Sequence, residues 1–199
     1  ITPSGPRYML PNFIMGMYEW HVKSVDREIA ELADHIYDAL AEKHWTDKGT
    51  KQFRIVPVNR SVDDKSHVKS YDMILELVKG KGPYAVAPCI CRVEQKEKGN
   101  GITRPMETCF TFGNAASYYI QNGIGRELTE DELKIKLQEC EDSSLVPLST
   151  NAQNIINMCM CDRESCQFMR YLRKFEKPAL QVHATFNAAI DDNTCIGCG

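Results

Sequence analysis

The chain has 199 residues, of which 43% are hydrophobic and 26% charged, and a formal net charge of −3. This composition is ordinary for a globular protein, and the slight acidity argues against broad nucleic-acid binding, which needs a basic face. No apolar run approaches the roughly 18 residues of a membrane span, and the first residues lack the charged and apolar regions of a signal peptide. We therefore expect no membrane span and no secretory leader.

Nine cysteines are a high count for a cytosolic chain of this length. Because the number is odd, complete internal disulfide pairing is impossible. The short Cys-x-Cys and Cys-x2-Cys spacings suit metal ligation better than a secreted disulfide framework. These features favour a reducing, cytoplasmic compartment.

The first half of the chain predicts one long helix among shorter elements. Residues 7–10 read as a short strand. A helix is predicted over 24–43, with Ser24 as a plausible N-cap. Its larger apolar residues recur at helical spacing: Val25, Ile29, Leu32, Ile36 and Leu40.

Shorter elements follow the long helix. The apolar patterns predict a strand over 53–58, a helix over 71–79 and a strand over 84–90. Two glycines end the helix, and Pro57 places the first of these strands at an edge or near its own end. The charged, glycine-rich residues 94–104 are predicted to form a surface loop.

The second half alternates helices and short strands. Thr129 with Glu132 matches a capping box, which marks a helix N-terminus. The predicted elements are a helix over 114–121, a helix over about 129–141, a strand over 145–148, an apolar run over 154–158, a helix over 164–175 and a strand over 184–190. The whole pattern predicts an α+β fold with a small mixed sheet and flanking helices.

Eight of the nine cysteines fall into clusters. Thiolates are soft donors that hold zinc or iron–sulfur clusters, so we interpret the clusters as metal ligands. The candidate metal ligands are Cys89, Cys91, Cys109, Cys159, Cys161, Cys166, Cys195 and Cys198.

The first six of these ligands come from two halves of the chain. In an extended backbone Cys89 and Cys91 point to the same side, so both sulfurs reach one site. The two halves together would close one four-cysteine site with two thiols left over. Such a metal would staple the domain together.

The remaining candidates have alternative readings. Arg92 is either a cation that offsets thiolate charge or a surface arginine, and Asn151 either donates a hydrogen bond to sulfur or forms a turn. Cys140 lies at helical core spacing and is predicted to be a buried apolar residue rather than a ligand. Cys195-Ile-Gly-Cys198 opens the Cys-x2-Cys-x2-Cys-x3-Cys run of bacterial ferredoxins.

Several motifs in order carry a resemblance. They are Cys89-Ile-Cys91-Arg92, Met106-Glu107-Thr108-Cys109-Phe110, Gly123-x-Gly125-Arg126, Leu128-Thr129-x-x-Glu132, Thr150-Asn151, the segment 159–166 and Cys195-x2-Cys198. This order resembles the ferredoxin-type 4Fe-4S binding proteins of anaerobic bacteria and archaea. Similar proteins often show a denser Cys-Asn-Cys-Cys run where this chain has Met160 and Asp162.

The resemblance implies a domain organisation. In similar proteins a cysteine-rich α+β domain precedes a C-terminal ferredoxin module, and many carry an N-terminal winged-helix-like region. We therefore expect residues 1–14 to be the possible end of a winged-helix region, 15–190 the metal-stapled α+β domain, and 191–199 the start of a truncated ferredoxin module.

The resemblance also implies a function. It predicts an iron–sulfur electron-transfer protein with a [4Fe-4S] cluster, the ferredoxin-like component of an anaerobic oxidoreductase system that meets a redox partner protein. No general acid, base or nucleophile constellation points to catalysis. Two alternatives stay open: a zinc- or cluster-binding sensor or interaction module without catalysis, and a plain α+β domain with buried reduced thiols. The oligomeric state is open.

Overall fold

The computed structural model describes residues 13–44, 51–56, 74–184 and 189–197. The α helices in this part of the chain are α1 Arg27–His44, α2 Ile74–Val78, α3 Ile90–Glu97, α4 Asn114–Gln121, α5 Glu130–Asp142 and α6 Gln167–Leu172. The strands are β1 Phe53–Ile55, β2 Tyr84–Pro88, β3 Glu107–Phe112, β4 Arg126–Leu128, β5 Val146–Thr150 and β6 Asn157–Cys161. Short 3₁₀ turns span Glu19–His21 and Pro178–Gln181.

The six strands form one sheet in the order β1-β5-β6-β3-β2-β4. Every neighbouring pair in this order is antiparallel. The predicted α+β class is confirmed, but the sheet is antiparallel where a mixed sheet was predicted. An isolated parallel bridge joins Arg54 of β1 to His183, which lies outside the named strands. Strand direction depends on which segments pair, and a single sequence does not display those pairings.

The sheet divides the interior into two apolar cores. Successive side chains of a strand point to opposite faces, so β2 sends Ala85 and Ala87 into one core, and Tyr84 and Val86 into the other. The first core also receives α1, α4 and α6, while α2 and α5 cover the second. On β3, Cys109 belongs to the first core. The alternation therefore assigns the clustered cysteines to one face.

Helix α1 is confirmed as the long predicted helix, but three of its larger apolar residues face outward, while Leu40 packs against the first core. Ile29, Leu32 and Ile36 are 39%, 55% and 43% exposed. The buried face consists of small residues and one tyrosine: Ala30, Ala33, Tyr37 and Ala41. Small side chains let α1 lie close against its neighbours α3 and α6.

Local end signals were the most reliable part of the prediction. Helix α4 has the predicted bounds, and α5 begins at the predicted capping box. In this box Thr129 Oγ1 accepts a bond from the Glu132 backbone N–H at 3.2 Å, and Glu132 Oε2 accepts one from the Thr129 N–H at 2.8 Å. Cys140 on α5 is buried in the second core, as predicted.

Two predicted elements differ from the structure. The strand predicted over 84–90 ends at Pro88, because the chain turns into α3 at Ile90. Helix α3 then occupies the first residues of the predicted surface loop 94–104. The loop prediction followed the charged composition, but this helix buries Glu94 and Gln95 among its neighbours.

Other predictions fall on residues outside the described ranges. They are the strand over 7–10, the last residues of the strand over 53–58, the first residues of the helix over 71–79 and the middle of the last predicted strand. Residues 184, 189 and 190 are described and are not in a strand. Among the residues that the structure describes, no helix combines the length and the apolar character that crossing a bilayer requires.

Candidate metal centre

Six cysteines line one cavity of about 40 Å³ in the first core. They are Cys89, Cys91, Cys109, Cys159, Cys161 and Cys166. The other lining side chains are mostly apolar, including Ile14, Phe53, Leu148 and Phe168. The cysteines predicted to converge from the two halves of the chain therefore lie together, at a place with room for a compact group only.

Neighbouring strands deliver three of these thiols. Cys109 on β3 lies directly opposite Cys159 on β6 in the antiparallel register. Cys161 is two residues beyond Cys159, and residues two apart in a strand share a face. The pairing of β3 with β6 thus brings Cys109 close to both Cys159 and Cys161.

The chain between strand and helix delivers the other three thiols. Cys89 is the residue that precedes α3, and Cys91 lies in the first turn of that helix. Cys166 stands in the same position before α6. The expectation that Cys89 and Cys91 meet along one extended strand was wrong, because the backbone changes from extended to helical between them. Both side chains nevertheless line the same cavity.

The six thiols influence one another's ionisation in an unbroken order. Each thiol affects the pKa of the next in the order Cys89, Cys91, Cys166, Cys161, Cys159 and Cys109. Among the described residues, no group of three or more His, Cys, Asp or Glu side chains is already arranged around a point that an ion would fill. Metal binding would therefore require the thiols to lose protons and move apart.

Two of these thiols are especially suited to ionise. The neighbouring Cys109 and Cys161 thiols lower the pKa of Cys159 well below its usual range, against the opposing effect of burial. The Cys161 and Cys91 thiols lower the pKa of Cys166 in the same way. The backbone N–H groups of Phe168 and Met169 lower it further. Such donors stabilise a thiolate, which is the form that binds metal.

Arg92 lies inside the protein, so its reading as a surface arginine is wrong. The side chain is fully buried and donates to Asp162 Oδ2 from Nε at 2.9 Å and from Nη2 at 2.7 Å. It also donates to the Met160 carbonyl at 3.1 Å and to Thr108 Oγ1. Cys89 and Cys161 are both close enough to raise the pKa of the guanidinium, although burial opposes them.

Asp162 fixes the loop between two of the cysteines. Its Oδ1 accepts bonds from the backbone N–H groups of Glu164 at 3.0 Å and Ser165 at 2.6 Å. Burial alone would raise the pKa of Asp162, but these bonds and the Arg92 charge hold it below the usual range. Sequence reasoning treated this position only as a missing cysteine. The signal for its role was an aspartate followed by polar residues, which is typical of an Asx turn.

Glu19 was also missed by the sequence analysis. It lines the cysteine cavity, and its carboxylate accepts backbone bonds from Met15 at 2.9 Å and Gly16 at 2.8 Å. Burial raises the pKa of Glu19 to about 7 despite these bonds. The position of Glu19 depends on the irregular turn at 13–17, where Met15 has φ of 53°. No sequence motif predicts that turn.

Two of the predicted site residues that the structure describes, Cys195 and Asn151, are not brought to the cavity. Cys195 is exposed, in a turn whose backbone bond runs from the Cys195 N–H to the Asp191 carbonyl at 2.9 Å. Cys198 lies outside the described residues. Asn151 does not line the cavity, and its Nδ2 donates to the Lys51 carbonyl at 3.0 Å, which agrees with its turn-forming reading.

Comparison with known proteins adds no identification. No family model matches the chain, and no curated protein or solved structure matches it at a significant level. Fold and site define an α+β protein with six cysteines around one cavity, which lies on one face of an antiparallel sheet. Its function has to follow from the chemistry of that face.

Proposed function

We propose that the protein is an iron–sulfur electron-transfer protein whose buried cysteines are the cluster ligands. The observation that carries this proposal is the convergence of six thiols, from both halves of the chain, on one apolar cavity. Thiols have no comparable reason to gather in an ordinary core, where each behaves as an isolated small apolar residue. Cys140 shows that ordinary behaviour in the second core.

The donor set fits the proposed group. Iron–sulfur clusters are held by cysteine thiolates, and among the described residues that line the cavity the candidate ligands other than cysteine reduce to Glu19. A bound cluster would supply one-electron chemistry, which none of the side chains at the cavity offers. The small volume means that the thiols must separate to admit it.

The chain's own residues would set the electrical environment of the site. Apolar side chains around the cysteines exclude water, and this favours the less charged state of whatever is bound. The Arg92 guanidinium and the N–H groups of Phe168 and Met169 oppose that preference by stabilising negative charge on sulfur. Asp162 neutralises part of the arginine charge, so these side chains together adjust the reduction potential.

The wider role follows from the resemblance of the motifs. Proteins of the ferredoxin type pass electrons to other oxidoreductases, and we include in the proposal a cytoplasmic, anaerobic setting and a redox partner protein. The Cys195-x2-Cys198 pair belongs to the same proposal as the start of a ferredoxin module.

A zinc-binding sensor or interaction module is the second candidate. The cavity volume of about 40 Å³ favours it, because a single ion separates the thiols less than a cluster does. Zinc is held by four thiolates in structural sites, and the site offers more than enough. Such a protein would be colourless and would not accept electrons.

The test is anaerobic purification followed by iron and sulfide analysis and by reduction with dithionite. We expect visible absorption that bleaches on reduction, and its loss in a Cys109→Ser/Cys159→Ser double variant. A Cys140→Ala variant is the matched control, since it removes a buried thiol outside the cavity. A colourless protein that contains zinc would support the second candidate, and a metal-free protein would overturn both.

A further inference from the structure

We infer that all six clustered cysteines are ligands of one polynuclear centre that holds at least two metal ions per chain. This differs from a four-cysteine site with two thiols left over. It rests on the part of the proposed function that assigns metal to this face, but it does not require the metal to be iron or to change oxidation state.

The shared cavity of the six thiols carries the inference, since all six line it. Cys109 lies opposite Cys159 in the strand register. In the order Cys89, Cys91, Cys166, Cys161, Cys159 and Cys109, each thiol also affects the pKa of the next, with no break that separates four from two. Any choice of four adjacent ligands would leave two thiols of the same cavity beside the metal and unused.

Coordination chemistry gives this order a simple reading. A tetrahedral ion takes four sulfur ligands, so two ions satisfy their coordination with six sulfurs if two of the sulfurs are shared. The two thiols in the middle of the order from Cys89 to Cys109 are Cys161 and Cys166. They are therefore assigned as the bridging ligands. Cys109 and Cys159 would then complete one ion, and Cys91 and Cys89 the other.

Charge balance is compatible with the same stoichiometry. Two divalent ions with six thiolates carry a net charge of about −2, the same as one divalent ion with four thiolates and two protonated thiols. The Arg92 guanidinium offers limited further compensation because it is already paired with Asp162 at 2.7 Å.

The experiment uses zinc alone as the probe, on the full chain carrying Cys195→Ser and Cys198→Ser so that the C-terminal pair does not bind. Native mass spectrometry of the reduced, zinc-loaded protein gives the number of ions per chain. Alkylation before and after loading gives the number of protected thiols. We expect two ions and six protected cysteines, with Cys140 alkylated only after unfolding.

Variants test the assignment of the bridging thiols. Cys89→Ser and Cys109→Ser each remove a ligand of one ion, so we expect each to retain one zinc. Cys161→Ser and Cys166→Ser remove a shared ligand, so we expect both ions to be lost or weakened together. Cys140→Ala is the control and should keep two. If a variant fails to fold, the ion count and thiol protection of the parent protein still decide the stoichiometry.

The outcomes separate this inference from the proposed function. One zinc per chain with two cavity thiols open to alkylation would overturn the six-ligand centre. Retention of a complete, reducible iron–sulfur cluster in both Cys89→Ser and Cys109→Ser would also overturn it, while leaving electron transfer intact. Two zinc ions per chain, with no iron in the native protein, would support the six-ligand centre and overturn the iron–sulfur function.

Discussion

Arg92 and Asp162 form a buried ion pair that joins two cysteine-bearing segments of the chain. Nη2 of Arg92 lies 2.7 Å from Oδ2 of Asp162, and the side chains are 0% and 5% exposed. Each residue directly follows a cavity cysteine, Cys91 in one segment and Cys161 in the other. The pair therefore holds α3 and the loop after β6 in fixed relation to the same cavity.

Removing one partner of this pair should be costly. Asp162→Asn leaves a buried guanidinium without its counter-charge, and such changes cost about 3–5 kcal/mol. We expect a loss of that size in the free energy of unfolding, measured by guanidinium chloride titration of the reduced, metal-free protein. Without metal, the effect of the substitution on ligand binding does not enter the measurement.

An exposed ion pair provides the control. Arg27 and Glu31 on α1 are 71% and 56% exposed with a 2.9 Å contact, and pairs of this kind are worth less than about 1 kcal/mol. Arg27→Gln should therefore change the unfolding free energy little. Equal losses for Asp162→Asn and Arg27→Gln would contradict the structural role given to the buried pair.

A second prediction compares the buried and the exposed side of α1. Ala33 is 2% exposed and Leu32 next to it is 55% exposed. Ala33→Leu forces additional carbons into a packed interface, which typically costs about 1–3 kcal/mol. Leu32→Gln should stay within about 0.5 kcal/mol because the site is on the surface. Urea unfolding of both variants checks the direction, and a larger loss for Leu32→Gln would show that the apolar stripe is the buried face.

This helix also shows where sequence reasoning stops. Periodicity located α1 correctly, and the capping box at Thr129 located the start of α5, because both signals lie within a few neighbouring residues. Which face of α1 is buried depends on how closely α3 and α6 approach it. Alanines allow that approach, but the larger apolar residues dominate any periodicity count.

Only some residues of the candidate site could likewise be predicted from the sequence. Cysteine spacing was enough to nominate the six cavity residues, because thiolate chemistry is local to the residue type. The burial of Arg92, the loop-fixing role of Asp162 and the presence of Glu19 at the cavity each depend on segments distant in sequence. The exposed Cys195 carries a spacing as suggestive as that of the cavity cysteines, yet the structure places it on the surface.

A third prediction concerns the close approach of α4's exit turn to β2. A Cβ added at Gly125 would lie 2.7 Å from the Val86 carbonyl oxygen, which belongs to the backbone of β2 where that strand pairs with the edge strand β4. Gly125→Ala should therefore shift the backbone and cost about 1–3 kcal/mol. Gly101→Ala is the matched control, because nothing lies within 4 Å of its added Cβ.

Thermal unfolding of the two glycine variants under identical conditions provides the comparison. We expect a clearly lower Tm for Gly125→Ala, and a Tm near that of the parent protein for Gly101→Ala. An unchanged Tm for Gly125→Ala would mean that β2 and β4 separate there without cost, contrary to their pairing at Val86 and Arg126.

The fourth prediction concerns pH and the carboxylate that connects three helices. Asp34 on α1 accepts from Lys98 Nζ at 2.6 Å and from Gln167 Nε2 at 3.2 Å, and lies 3.5 Å from Arg170 Nη1. Burial raises the pKa of Asp34, but these partners outweigh it and hold the pKa below the usual range. The ionised form is thus favoured in the folded state.

The sign of the pH effect follows from that direction. An aspartate with a depressed folded pKa contributes stability above its unfolded pKa of about 3.9, and loses it as pH falls through the lower folded pKa. Asp34→Asn should therefore be less stable than the parent at pH 7, by about 1 kcal/mol or less because the side chain is partly exposed. The difference should shrink as pH falls below about 4, since protonated Asp34 also lacks the charge.

Urea unfolding at a series of pH values for parent and Asp34→Asn measures this difference. Asp192→Asn serves as the control, because Asp192 is exposed and lies in a turn outside the helices. We expect a small difference for the control at every pH. A gap between parent and Asp34→Asn that stays constant from neutral to acid pH would assign the effect to side-chain shape rather than to the charge that ties α1 to Lys98 and Arg170.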